Sequence, residues 1–385
     1  MSTVIPVIVG DGIGSDIWKA AKLVIDEAVS IESESKGTKK IEWMEVYAGQ
    51  MAYQKYKDLL PQETMDALEK YKVGIKGPLN ATPAEWGKSA TLRLRQDFDL
   101  YACIRPVTWF GNPSPIKHPE GVDLTIFREN SEDLYAAIEW KAGDEKLYPL
   151  KEFMRTNMNI SLKEDAAIAI RPISERASKR IARAAMRYAL EKSRKNITIV
   201  HKGNVMKHTD GSFHKWCREV LETEFGEYTV NEENYEKGDS RIVIKDRIAD
   251  NMFQQLIRQP QDYDVIITTN LMGDLLSDAA AALVGGLGYA PGANIGDSIA
   301  LFEATHGSAP KYADCNIANP TSLILSTAMM LEHLGMVIAS ELIVKAVRKV
   351  IGKGIMTKDA QRHGSGLQFV GTAEYAEHIV REMQV

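Results

Sequence analysis

Two rhythms of apolar and polar positions run along the chain. Short runs rich in valine and isoleucine read as buried strands, and longer stretches with an apolar residue every three or four positions read as amphipathic helices. Strands are predicted at residues 4–9, 41–47, 73–76, 100–105, 124–128, 197–200, 241–245 and 265–267. Helices are predicted from Ser15 onward, over 62–71, around Arg93 and Arg95, over 174–192, 211–225 and 248–258, after the turn at 268–270, and over 320–334, 340–351 and 374–383. The stretch 174–192 has a serine cap before an acidic first turn, a helix-start signature. Strands alternate with helices throughout, so the predicted class is α/β.

The segments between these elements are informative too. Residues 31–40 are polar and are predicted as a surface connection. Asp250 shares a predicted core-facing stripe with Phe253 and Ile257. Residues 113–119 hold Pro113, Pro115 and Pro119 and exclude regular structure. Residues 136–171 alternate weakly and carry many charges, as a projecting arm would. Residues 285–295 are a glycine-rich return toward the first domain.

Composition narrows the function classes. At 385 residues the chain is long for one core, so two domains are expected. An apolar content of 44% with 26% charged residues fits a folded globular protein. A formal charge of −5 gives no broad electrostatic reason to bind nucleic acid or membrane. Cys103, Cys217 and Cys315 are odd in number and far apart, which supports neither a disulfide framework nor a structural zinc site. The first residues, MSTVIPVIVGDGIG, lack a basic start and a long apolar run, so the expected location is cytoplasmic.

The candidate chemistry starts at 263–286, YDVIITTNLMGDLLSDAAAALVGG. Asp274 and Asp278 stand four apart in the opening turns of a helix and therefore share a face. Two carboxylates there suit a hard divalent cation, or simply complement the helix dipole. Arg95, Arg105 and Arg128 lie at the ends of apolar elements. Their forks match a polycarboxylate, or each pairs with an acid elsewhere. Lys202 follows an apolar run and precedes a glycine, a setting suited to proton transfer, and Tyr135 ends a dense polar run. The Gly10-Asp11-Gly12-Ile13-Gly14 turn has GxGxG spacing and is not a GxGxxG dinucleotide fingerprint. Its glycines are read first as turn geometry.

The runs IVGDGIG, RQDFDLYACIRPV, FRENSEDLYA, HKGNVMK, IKDRIADN, NLMGDLLSDAAAALVGGLG, LFEATHGSAPKYA and NPTSLILS closely resemble the decarboxylating β-hydroxyacid dehydrogenases, the isocitrate/isopropylmalate dehydrogenase family. They occur in one collinear order across nearly the whole chain. The resemblance implies a two-domain fold that is not a Rossmann fold. A discontinuous large cofactor-binding domain would cover 1–100 and 285–385, a small domain 101–132 and 175–284, and a dimer-forming clasp 133–174. It implies NADP-dependent oxidative decarboxylation of isocitrate to 2-oxoglutarate, a step of the tricarboxylic acid cycle, with Mg2+ or Mn2+. It further implies that Ser89, Thr91, Arg95, Arg105, Arg128, Tyr135 and Lys202 contact substrate, with Tyr135 and Lys202 as the acid–base pair. Asp250, Asp274 and Asp278 match the metal ligands. Lys202 and Asp250 would come from the neighbouring subunit of an obligatory homodimer. Thr82, His306, Gly307, Lys311, Tyr312, Asn319, Lys358 and Arg362 match the cofactor contacts, Lys311 and Tyr312 as the NADP-favouring pair.

The chain also departs from the family pattern. Thr91 stands where isocitrate-specific relatives usually carry asparagine, Arg93 is an unusual basic neighbour, and the loop 83–88 is one residue short. Lys358 replaces a common tyrosine, and Gln259 stands where some relatives offer arginine. Homoisocitrate, 3-isopropylmalate and tartrate therefore remain alternative substrates. A non-catalytic regulatory subunit is the alternative of another class, against which stand the retained Tyr135, Lys202, Asp250, Asp274 and Asp278.

Overall fold

The computed structural model describes residues 2–37, 40–83, 86–363 and 366–384, without the side chains of Lys36, Gln361, Arg362 and His363. The strands are β1 (Thr3–Ile8), β2 (Ile41–Val46), β3 (Val73–Lys76), β4 (Ala102–Thr108), β5 (Asp123–Glu129), β6 (Glu139–Trp140), β7 (Ile168–Ala169), β8 (Asn196–His201), β9 (Thr229–Asn231), β10 (Ile242–Ile248), β11 (Val265–Thr268), β12 (Pro291–Ile295), β13 (Ala300–Ala304), β14 (Ile355–Thr357) and β15 (Gln368–Val370). The α-helices are α1 (Gly14–Lys36), α2 (Gln50–Tyr56), α3 (Gln62–Tyr71), α4 (Ala90–Asp97), α5 (Leu147–Met158), α6 (Glu175–Glu191), α7 (Asp210–Glu219), α8 (Ala249–Arg258), α9 (Asn270–Leu283), α10 (Thr321–His333), α11 (Val337–Gly352) and α12 (Thr372–Met383). The class is α/β, as the alternating patterns predict.

One sheet of 11 strands organises the molecule, in the order β2-β1-β3-β13-β12-β4-β5-β11-β8-β10-β9. Its two ends are parallel, and an antiparallel stretch β13-β12-β4-β5 joins them. Strands covered on both faces must be apolar on both, which is why they read as continuous runs in the sequence. Neighbouring residues then enter different cores. Leu124 and Ile126 pack with α8 and α9, whereas Phe127 packs with α6 and α7. At the other end, α1, α10, α11 and α12 form one core with Ile5, Ile75 and Phe302, and α3 and α4 form another with Ile8 and Leu301.

Several expectations are corrected. Residues 31–36 are not a surface connection but the last turns of α1, which stops at Gly37 with φ 64°. The polar Glu32 is buried there because its carboxylate accepts from Ala339 N at 2.8 Å, capping α11. The stripe of α8 is also shifted. Ala249, Met252 and Leu256 are buried, whereas Ile257 is 66% exposed and Asp250 faces outward. The glycine-rich return contains β12, and α2 was not predicted. The first backbone N–H groups of α2 donate to the Asp11 carboxylate at 3.2 Å, from 39 and 40 residues away, so no local sequence signal marks its start.

The glycines at 10–14 serve a close turn. A Cβ on Gly10 would lie 2.3 Å from Pro78 O, and one on Gly12 would lie 2.1 Å from Ser308 O. Ile13 N donates to that Ser308 carbonyl at 2.9 Å, tying the turn to the 306–319 loop. Residues 136–171 hold the short antiparallel pair β6 and β7 with α5 between them. Tyr148 and Phe153 on this arm are 65% and 56% exposed.

Candidate active site

The carboxyl ends of β5, β8, β10 and β11 lie along one sheet edge, because these four strands are parallel. Arg128, Lys202, Asp250 and Asp274 all sit at or just beyond those ends. That edge is where open α/β sheets bind ligands.

A dense polar cluster surrounds Asp274 on α9. Arg128 is fully buried and pairs with Asp274 Oδ1 through Nη1. Its Nε and Nη2 both donate to Asn270 Oδ1, at 2.9 and 2.7 Å. The helix comes this close because residue 273 is glycine. A Cβ there would stand 2.6 Å from the Arg128 side chain. The Tyr135 hydroxyl donates to Asp274 Oδ2 at 2.5 Å, and the Arg128 guanidinium lies 4.8 Å from the Tyr135 ring centre. Arg105 Nη1 reaches Ser277 Oγ at 2.6 Å, Asp278 Oδ1 at 3.3 Å and Asp274 at 3.5 Å.

These neighbours set the protonation states. Burial alone would raise Asp274, but Arg128, the Tyr135 hydroxyl and Arg105 outweigh it and hold the carboxyl below its ordinary value. Burial dominates at Asp278 and raises it, although Arg105 opposes. Tyr135 is raised by burial and by its bond to Asp274, so the phenol stays protonated.

A second buried group adjoins the first. Glu303 receives Lys76 Nζ at 2.7 Å, Arg95 Nη2 at 3.0 Å and Asn294 Nδ2 at 2.7 Å. Burial opposes its charge, yet Lys76, Arg95 and Asn294 prevail and hold it far below the ordinary glutamate range. Arg95 Nε is buried and has no partner among the described residues, so a donor remains for an incoming anion. Ser89 caps α4, accepting from Leu92 N at 3.2 Å, with Thr91 and Arg93 in the same first turn. Arg93 meets Asp58 at 3.1 Å. The three arginines do pair with acids, but those acids belong to the same polar cluster.

Lys202 and Asp250 stand together elsewhere on this edge, joined as an ion pair, with Asp250 largely exposed. Within one chain Asp250 therefore meets Lys202, and Asp274 and Asp278 meet the arginines. Among the described residues, the metal-capable trio that converges in the chain is His201, His214 and Asp246. Its imidazoles stack at 4.5 Å with planes 21° apart. His201 Nδ1 accepts from Gly203 N at 3.0 Å, which leaves the proton on Nε2, facing Asp246 at 2.7 Å. His201 and Asp246 form a hydrogen-bonded pair beside Lys202, with His214 Nε2 2.8 Å from the other Asp246 oxygen. The donor set of Asp274 and Asp278 suits a hard cation better, because it offers carboxylate oxygens on successive turns of one helix.

The loop after β13 offers a different surface. His306 Nδ1 donates to Gly307 O at 2.9 Å, and its buried Nε2 has no partner among the described residues. Burial holds His306 below its ordinary value, so Nε2 is an open acceptor. A Cβ on Gly307 would meet nothing within 4 Å, so the backbone there is open to a ligand. Lys311 and Tyr312 are exposed, with Lys311 Nζ 4.6 Å from the Tyr312 ring centre. Asn319 is buried and held by Asp359 at 3.0 Å and Thr321 N at 3.0 Å. Thr82 is half-buried and Lys358 exposed. The side chain of Arg362 and residues Ala84 and Glu85 of the short loop lie outside the described residues. The unpartnered His306 Nε2, the open Gly307 and the exposed Lys311 fit a phosphate-bearing nucleotide cofactor.

Residues 4–379 match the family described as isocitrate/isopropylmalate dehydrogenase. The chain belongs to this family. The NADP isocitrate dehydrogenase of Archaeoglobus fulgidus is 50% identical to it over 99% of this chain and 93% of its own. That of Staphylococcus epidermidis is 45% identical over 99% and 96%. The crystal structure of isocitrate dehydrogenase from Methylococcus capsulatus superposes with a TM-score of 0.82 at 39% identity, covering both chains in full. Among the described residues no helix of this dehydrogenase-family chain is long and apolar enough to cross a membrane.

Some polar residues of this family member were not singled out from its sequence. Lys76, Glu303, Asn294 and Asn270 hold Arg95 and Arg128 in place. Lys76 ends a buried strand and precedes Gly77, the same signal that marked Lys202. Glu303 and Asn294 are polar residues inside apolar strands, where a buried charge or amide requires a partner.

Proposed function

We propose that the chain oxidises isocitrate and decarboxylates it to 2-oxoglutarate, with NADP as hydride acceptor and Mg2+ or Mn2+ as metal. It would work as a homodimer with each active site shared between two copies. The observation that carries the substrate reading is the convergence of Arg95, Arg105, Arg128, Tyr135, Asp274 and Asp278 in a chain half identical to an NADP isocitrate dehydrogenase.

Arg95, Arg105 and Arg128 would bind the substrate carboxylates, and Ser89 and Thr91 at the start of α4 would meet the distal one. Asp274 and Asp278 of one copy with Asp250 of the other would hold the divalent cation. Bound there, the cation supplies Lewis-acid polarisation of the substrate hydroxyl and its neighbouring carboxylate, and the nicotinamide supplies the hydride acceptor. Lys202 of the second copy would relay the hydroxyl proton away from the substrate as the C–H bond gives up hydride and a ketone forms. The C–C bond to the β-carboxylate then breaks, CO2 leaves, and its electron pair generates an enolate. The Tyr135 hydroxyl protonates the enolate carbon.

Support for two copies comes from the pairing of Asp250 with Lys202 rather than with Asp274, and from the exposed apolar residues of the arm and of α8. Support for NADP comes from the exposed cation Lys311 beside the open Gly307. The polar, basic start of α4, with Ser89, Thr91 and Arg93, disfavours a branched alkyl substrate such as 3-isopropylmalate. Initial rates with isocitrate, homoisocitrate, 3-isopropylmalate and tartrate, each with NADP and NAD, test the assignment. Isocitrate with NADP should give the highest kcat/KM, and a higher value for any other pair overturns it.

A further inference from the structure

Behind the reactive side chains lies a nearly closed charge cluster that the proposed chemistry does not use. The carboxylates of Asp133 and Asp210 are each 1% exposed, and the Arg171 guanidinium lies between them, paired with both. Arg171 Nη1 also reaches Met206 Sδ at 3.2 Å and Thr209 Oγ1 at 3.3 Å, and Nη2 reaches Thr269 Oγ1 at 3.3 Å.

Each acid holds a different reactive segment. Asp210 Oδ1 accepts the backbone N–H of Lys202 at 2.8 Å. Asp133 lies two residues before Tyr135 and has φ +72°, a left-handed conformation uncommon outside glycine. It is fixed there by Leu134 N at 2.8 Å, by Leu271 N at 2.9 Å, and by its own N–H on Pro172 O at 3.0 Å. Leu271 lies in the first turn of α9, the helix of Asp274 and Asp278. One guanidinium thus joins the segments of Tyr135, Asp274 and Lys202. A buried charge cluster is a poor device for stability alone, since well-packed apolar residues serve as well, and fixing a register is its better-attested use.

We propose that Arg171, acting through Asp133 and Asp210, is a positioning residue that holds Tyr135 of its own active site and Lys202 of the neighbouring site to a common frame. The inference rests on the shared-site reading above. The cluster would place the proton donor of one site and the proton relay of the other, so that a disturbance in one chain reaches both sites of the dimer.

Purified hybrid dimers separate the two effects. A variant chain paired with a Lys202→Met chain has one live site, which uses the variant chain's Lys202. Paired with a Tyr135→Phe chain, its live site uses the variant chain's own Tyr135. Arg171→Met should lower kcat at least tenfold in both hybrids, with KM changed less than threefold. Asp210→Asn should lower kcat only in the first hybrid, and Asp133→Asn only in the second. These two variants carry the test if Arg171→Met does not fold. Unchanged kcat in both hybrids, or equal losses in both for each aspartate variant, overturns the proposal. The control hybrid of Lys202→Met with Tyr135→Phe must show one active site per dimer. Its inactivity would mean instead that the shared-site reading is wrong.

Discussion

The Tyr135 hydroxyl donates to Asp274 Oδ2 at 2.5 Å while Arg128 occupies the other oxygen of the same carboxylate. The proposed proton donor and a candidate metal ligand are thereby fixed to one another before any substrate arrives. Burial and the Asp274 bond raise Tyr135 above its ordinary value, so it keeps its proton across the neutral range. Tyr135→Phe removes the proton and leaves the ring over Arg128. It should lower kcat by roughly 10²–10⁴-fold, the usual size of a general-acid contribution. Steady-state rates check this, and an unchanged kcat would remove Tyr135 from the acid role.

Lys311 is exposed beside Tyr312 on the candidate cofactor loop, with no ion-pair partner among the described residues. A charge-assisted contact with a 2′-phosphate contributes about 1.5–3 kcal/mol. Lys311→Asp should therefore lower kcat/KM for NADP by at least about tenfold, while the value for NAD changes little. Equal losses with both cofactors would show that Lys311 does not read the phosphate.

Glu303 carries a pH dependence whose sign follows from its partners. Lys76, Arg95 and Asn294 overcome its burial and hold it below the ordinary value of 4.5. A depressed folded value means that stabilisation is present above about pH 4.5 and is lost as pH falls toward the folded value. Glu303→Gln leaves two cations buried with no carboxylate, which costs about 3–5 kcal/mol near neutrality. Thermal unfolding should show that the gap between wild type and variant narrows below about pH 4.5. A constant gap from pH 7 to 3 would mean that the carboxylate's charge is not what holds this group.

Much of the candidate site was legible because its residues lie at or near the ends of apolar runs. Arg128 ends an apolar run within β5, Lys202 directly follows β8 and the Asp274–Asp278 pair follows β11, and parallel pairing sets those ends along one sheet edge. Other features depend on contacts distant in sequence. The start of α2 is capped by Asp11, and Glu32 is buried because it caps α11. The core-facing stripe expected at Asp250, Phe253 and Ile257 is instead carried by Ala249, Met252 and Leu256, which meet α9 and the strands below. Lys76 shows the opposite failure. Its signal was present and matched that of Lys202, but the salt bridge that gives it a role closes onto Glu303, far along the chain.

Asp274 and Asp278 offer oxygen donors of the kind hard cations prefer. Excess EDTA should therefore abolish turnover, and Mg2+ or Mn2+ should restore it. Full activity in the chelator would rule out the metal role.

In the proposed homodimer, one active site takes Tyr135, Asp274 and Asp278 from one copy of the chain and Lys202 and Asp250 from another. The most direct test of this sharing mixes two inactive variants, Lys202→Met and Asp274→Asn, under conditions of proven subunit exchange. Each hybrid would hold one intact site, so activity should rise to roughly a quarter of the wild-type value, given random pairing in half of the dimers and one live site in each. No recovery, with hybrids demonstrated in the mixture, would contradict the shared site.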